Sequence, residues 1–149
     1  MTQNGYQAGT DCLGYYNSAT YITPTWVEIG DLGDLSLPAE WGEAEVKRRG
    51  VADVEVLPTK VTRSADFTLV RKKGDAVLVA LRAAFTGKTA TEFAFMDGAI
   101  ATSGNKGLRM TCIIVKFSEG EGLEDTVTID VTVKPTPNAD AQPAEYTVP

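Results

Sequence analysis

Apolar residues recur at every second position along much of this chain, and the pattern runs longest between Gly107 and Lys134. From Leu123 onward, Leu123, Val127, Ile129, Val131 and Val133 are apolar, while Thr126, Thr128, Asp130, Thr132 and Lys134 stand polar between them. That period of two predicts a strand with one face in a core and one face wet. The run before it, Leu108–Ser118, puts Leu108, Met110, Cys112 and Ile114 on one face, and Ile113, Val115 and Phe117 make the other face apolar as well. The two runs predict a long antiparallel hairpin turning at Glu119–Gly122. A first strand apolar on both sides lies deep in a sandwich or meets another subunit.

Shorter runs repeat the pattern. Cys12–Tyr16 places Leu13 and Tyr15 on one face, and Asn17–Pro24 reads as a turn-rich connection. Trp26–Ile29 is a strand that continues after Gly30 through Leu32, Leu35 and Leu37. Lys60–Arg71 points Val61, Ala65, Phe67 and Leu69 inward and Thr62, Ser64, Asp66 and Thr68 outward. Thr91–Met96 carries Phe93 and Phe95 on one face, and Asp97-Gly98 turns the chain. One segment has helical spacing: Val77, Leu78, Leu81, Ala84 and Phe85 form a stripe, with Asp75 as N-cap and Gly87 at the end. A helix of about eleven residues is not stable alone in water, so it must cover a sheet edge or the open end of a sandwich.

Residues 38–60 read as a protruding hairpin or loop. Trp41 is followed by Glu43 and Glu45, then by the basic triplet Lys47, Arg48 and Arg49, then Gly50 and the alternating Val51–Leu57. Two readings fit: a solvated hairpin whose charge order means nothing, or a contact arm whose sorted charges set register with a partner. Residues 1–10 form a polar arm, and residues 135–149 a proline-bearing tail that is extended rather than helical. Tyr146 and Val148 near its end fit either docking or a loose tail. The expected domain spans 11–134 and is mainly β, a sandwich or partly closed barrel with one flanking α-helix.

The net charge of −6 disfavours binding to a nucleic-acid backbone, which depends on Lys and Arg displacing counterions. The chain has no histidine, which removes the usual general base and the commonest metal ligand. No apolar run approaches the ~20 residues of a membrane helix, and the polar N-terminus has no secretory core. Cys12 and Cys112 are therefore expected to be reduced. Gly87-Lys88-Thr89 imitates the end of a phosphate loop, but Arg82 stands where the pattern needs glycine, and the segment closes a helix instead of opening one. Glu43 and Glu45 beside Trp41 imitate a glycosidase pair, although neighbouring carboxylates on an exposed strand are commonly just solvated. Asp97–Asn105 has too few alternating acids for a calcium loop. No catalytic, metal or cofactor constellation emerges, and the expectation is that the protein is not an enzyme.

The outward residues of the two clearest strands are short and hydroxylated or acidic: Thr62, Ser64, Asp66 and Thr68 on one, Thr126, Thr128, Asp130 and Thr132 on the other. Threonine is a good strand former, which accounts for part of this. A surface along which a polyanion slides without adhering also calls for short side chains and acids.

In order and spacing the chain resembles the major tail tube proteins of long-tailed bacteriophages, a group similar in fold to the tube proteins of contractile injection systems. The resemblance runs from Asp11 to Lys134. It is carried by Cys12-Leu13-Gly14-Tyr15-Tyr16, Pro24-Thr25-Trp26-Val27-Glu28-Ile29, Asp34-Leu35-Ser36-Leu37 and Gly42-Glu43-Ala44-Glu45-Val46 with Arg48 or Arg49. Met96-Asp97-Gly98, Gly104, Gly107-Leu108-Arg109, Leu123-Glu124-Asp125 and Val133-Lys134-Pro135 continue it. The chain departs from the pattern at Val51–Leu57, where a tryptophan-containing turn is expected.

The resemblance implies a structural virion protein that assembles into six-membered rings stacked as a hollow tube, through which DNA passes at ejection without specific binding. Its implied partners are itself and other tail proteins such as tape measure, initiator and terminator. It implies a place in the virion tail, with assembly in the host cytoplasm and no membrane. The Thr62–Thr68 and Thr126–Thr132 faces are then expected to line the lumen. Trp41, Glu43, Glu45, Lys47, Arg48, Arg49 and Tyr146, with the N-terminal arm and the tail, are expected at contacts between subunits or rings. The alternative is an immunoglobulin-like or carbohydrate-binding surface module using Trp41 and the tyrosines as a platform.

Overall fold

The computed structural model describes residues 2–3, 6–7, 9, 12–30, 32–121, 123, 126–137 and 143–149. The strands are β1 (Thr2–Gln3), β2 (Tyr6–Gln7), β3 (Leu13–Asn17), β4 (Trp26–Glu28), β5 (Leu32–Ser36), β6 (Ala39–Val46), β7 (Glu55–Arg63), β8 (Ala65–Val70), β9 (Thr91–Met96), β10 (Lys106–Gly120), β11 (Thr128–Pro135) and β12 (Ala144–Thr147), with one helix, α1 (Ala76–Thr86). Of the arm expected at 1–10, β1 and β2 pair with each other, and most of the rest lies outside the described residues, as do Asp11, Glu124, Asp125 and 138–142.

The main sheet is antiparallel and open, in the order β4-β3-β9-β10-β11-β8-β5, with β12 also on β10. Its long member, β10, belongs to two halves. Residues 107–112 pair with β9, and residues 112–120 pair with β11. The sheet folds over on itself about this strand, so Phe67 of β8 lies 6.1 Å from Phe93 and 5.9 Å from Phe95 of β9, ring centre to ring centre. Ala65, Phe67, Leu69, Ile129, Val131, Val133, Met110, Cys112 and Ile114 fill the space between the halves. The helix closes one open side by adding Leu78 and Leu81 to that core. Asp75 caps it as expected, its Oδ1 accepting from the Val77 N–H at 3.1 Å.

The apolarity on both sides of β10 has a local cause. Ile114 stands opposite Val133 and Lys116 opposite Thr132, so Val115 is an extra residue, a β-bulge. The bulge reverses the alternation. Met110, Cys112 and Ile114 face the core before it, Phe117 packs on the core after it, and Lys116 and Ser118 turn outward. A similar irregularity between Leu32 and Leu35 lets both leucines pack on the core although they are three positions apart.

Two expectations shift, and of the two readings left open for the tail one holds. The turn of the central hairpin is longer than Glu119–Gly122, because the second strand begins at Thr128, and Leu123, expected on the core face, is fully exposed. The expected strand Lys60–Arg71 divides at Ser64: its first part pairs with β6 and its second enters the main sheet. The C-terminal tail docks on its own domain, with β12 antiparallel to Lys106–Arg109 and Val148 buried with Tyr15, Ala94 and Met96 in a second small core.

Candidate assembly interface

Four strands, β5, β8, β11 and the later half of β10, present one outward face. Asp66 stands opposite Thr132, which stands opposite Lys116; Thr68 stands opposite Asp130, which stands opposite Ser118. The Thr132 hydroxyl donates to Asp66 Oδ1 at 2.7 Å, and the Asp34 N–H donates to Thr68 Oγ1 at 3.0 Å. The face is concave: Asp34, Ser36, Asp66, Thr68, Lys116, Asp130 and Thr132 share one shallow depression of about 350 Å³.

This face brings together five of the eight residues singled out in the sequence: Asp66, Thr68, Thr128, Asp130 and Thr132. Thr62 lies opposite Glu40 in the separate β6–β7 hairpin. Ser64 sits at the junction of β7 and β8, its N–H donating to the Pro38 carbonyl. Thr126 precedes β11. Sequence reasoning missed Asp34, Ser36, Lys116 and Ser118. A period of two places Lys116 on the core side with Ile114, and only the bulge at Val115 turns it out.

Two strands of the sheet that carries this face lack a strand neighbour on one side among the described residues, and α1 packs against one of them, β10, through Phe85 on Phe117 and Arg82 on Glu119. Among the described residues β5 pairs with β8 alone. On β10 the pairing with β9 stops at Cys112, so residues 113–120 have β11 on one side and, among the described residues, no strand on the other. Beside β5 runs a groove of about 830 Å³, partly apolar, with Leu13, Leu32, Leu35 and Leu37 in its walls.

The β6–β7 hairpin stands apart as its own two-stranded sheet. Trp41 is 62% exposed, and Val54, Val56 and Leu57 are each about half exposed. Lys47 lies 3.7 Å from Glu45, Arg48 pairs with Glu55, and Glu43 stands opposite Pro58. An isolated two-stranded hairpin is marginal in water, and one with exposed apolar side chains presents a surface that another molecule can cover.

Tyr146 is half-buried against its own copy. Its ring lies 6.3 Å from that of Trp26, and the Arg109 guanidinium sits 5.2 Å from it. Arg109 is the centre of a buried polar group that sequence reasoning missed. It pairs with Glu92 at 2.7 Å, donates to the Tyr21 carbonyl at 2.7 Å, and lies 3.9 Å over the Tyr21 ring. Asn17 joins it by donating to Glu92 Oε1 at 3.2 Å, while its Oδ1 accepts from the N–H groups of Ala19 and Thr25. This network fastens the 18–25 turn and the C-terminal strand to β9 and β10. Cys12 and Cys112 are both thiols, and burial pushes the Cys112 pKa up to about 12. Among the described residues no group of His, Cys, Asp and Glu is arranged to hold a metal ion.

No protein-family model matches this chain, and no curated protein matches it by sequence. Solved structures do match by shape. The SPP1 tail tube aligns over 95% of this chain and 80% of its own, with a TM-score of 0.75 and 17% identity. A chain from the tail of an empty gene transfer agent particle, refined with helical and C6 symmetry, aligns over 95% and 98% with a TM-score of 0.71 and 14% identity. A chain of the anti-feeding prophage baseplate covers 99% of both, with a TM-score of 0.65 and 10% identity. This chain therefore has the mainly β fold shared by tail tube proteins and by chains of contractile injection systems.

Proposed function

We propose that this protein is the repeating subunit of a tail tube, a structural and non-enzymatic role. Copies form six-membered rings, the rings stack, and DNA passes through the bore during ejection. The observation that carries this reading is a concave face of mostly short hydroxyl and carboxylate side chains on a sheet where, among the described residues, β5 and residues 113–120 of β10 each lack a strand neighbour on one side. Open strand edges invite pairing with further copies, and a head-to-tail contact that closes by rotation makes a ring. Stacking along the axis does not close, and so makes a tube. Facing inward, Asp66, Thr68, Thr128, Asp130 and Thr132 keep the bore wide and repel phosphate. Thr62, Ser64 and Thr126 lie off that face and would reach the bore only at its margins.

In this reading the hairpin makes contacts between subunits or rings through Trp41, Glu43, Glu45, Lys47, Arg48 and Arg49. Tyr146 contributes from the docked tail, and the N-terminal arm adds to the same contacts. Permanent contacts of this kind bury on the order of 2,000 Å² or more. The partners are other copies together with tape measure, initiator and terminator proteins, the site of action is the virion tail, and assembly takes place in the host cytoplasm. Negative-stain microscopy of the concentrated protein is expected to show rings or tubes, and a protein that stays single at every concentration contradicts the proposal. Asp66→Lys with Asp130→Lys is expected to impair ejection from the particle. If assembly and ejection are both untouched, these residues do not face the bore.

A further inference from the structure

We propose that Lys116 of one copy forms an ion pair with Asp34 of the next, across the seam where β10 of the first meets β5 of the second. The inference rests on the tube-wall reading above and specifies which edges join. Asp34 is on β5 and Lys116 on β10, at opposite edges of one sheet, and both line its concave face. Within a copy, β8 and β11 stand between them, and Asp34 lies in the Thr68–Asp130–Ser118 row, one row along from Lys116, so the two are about 16 Å apart at the usual strand spacing. Among the described residues neither side chain has an ion-pair partner in its own copy.

Strand direction supports the joint. β5 is antiparallel to β8, β8 to β11 and β11 to β10, so β5 and β10 run in opposite directions. A second copy related by rotation about the tube axis therefore brings its β5 antiparallel to β10, with the same face toward the bore. Every other joint in the sheet is antiparallel too. Each edge strand also carries an irregularity next to its charged residue, at Val115 before Lys116 and between Leu32 and Leu35 around Asp34. The pair has a consequence for transport: an ammonium repeated around an acidic bore attracts phosphate, and a carboxylate from the neighbouring copy neutralises it.

Charge exchange tests the seam. Lys116→Asp and Asp34→Lys each place like charges at the joint, and each is expected to raise the critical concentration for assembly about tenfold. The double variant is expected to return it to within about threefold of the parent. High salt is expected to shrink the defect of each single variant. Both positions are exposed, so circular-dichroism melts of the variants are expected to match the parent. In a Cys12→Ser background, mixing Asp34→Cys with Lys116→Cys copies and adding a mild oxidant such as oxidised glutathione, which accepts the two electrons, is expected to give disulfide-linked dimers in assembled material. Single variants that assemble like the parent, a double variant no better than either single, or tubes without cross-links overturn the pair while leaving the tube. A parent protein that forms neither rings nor tubes overturns both.

Discussion

At the scale of the residue, Arg109 carries the largest consequence. Its side chain and that of Glu92 are 11% and 7% exposed, so neither charge is solvated once the other is gone. Arg109→Met is expected to cost about 3 kcal/mol by urea unfolding, and Glu92→Leu with Arg109→Met to recover much of that. Cys112 gives a pH dependence. Its folded pKa of about 12 lies above the ordinary 9.0, so the protonated thiol is favoured by folding. Its contribution is fully present below pH 9 and is lost as pH rises from 9 toward 12. Cys112→Ala is expected to flatten that part of the stability–pH curve. Gly107 answers to close approach: a Cβ there would fall 2.7 Å from Met96 Cα and even nearer the Phe95 carbonyl oxygen. Gly107→Ala is expected to cost about 1–3 kcal/mol, a melting-point loss of several degrees in a chain of this length.

At the scale of the element, the helix and the hairpin behave differently. Asp75→Ala removes the acceptor from the first turn of α1 and is expected to cost about 1 kcal/mol in chemical unfolding. Replacing 40–62 by a short glycine–serine turn is expected to leave the melt of the main domain nearly unchanged, because β6 and β7 form a separate sheet outside the main core. If the hairpin is a contact arm, the same deletion abolishes assembly, which sedimentation reads directly. The helix was legible because its cap, stripe and stop are local signals, and β9 because Phe93 and Phe95 alternate between clear turns. The division at Ser64 was not, since the alternation from Val61 to Leu69 is interrupted at Arg63 alone, a single charged residue that does not by itself reveal a change of pairing partner. The outward turn of Lys116 escaped for a related reason: an extra residue shifts the phase, and composition does not announce it. The Asn17–Glu92–Arg109 network joins positions far apart in the chain and left no periodic trace.

At the scale of the whole molecule, the run of short polar side chains could be read early, but the curvature that makes it a concavity could not. That curvature follows from how β10 bends between two sets of partners. This long strand enters one layer of the fold against β9 and leaves through the other against β11. Splitting the two layers therefore means bending a continuous backbone and stripping its ladder, beyond parting side chains that merely touch. In a conduit made of such units the two layers of each copy would move as one body, and outward pressure from the contents would be borne first by the joints between copies.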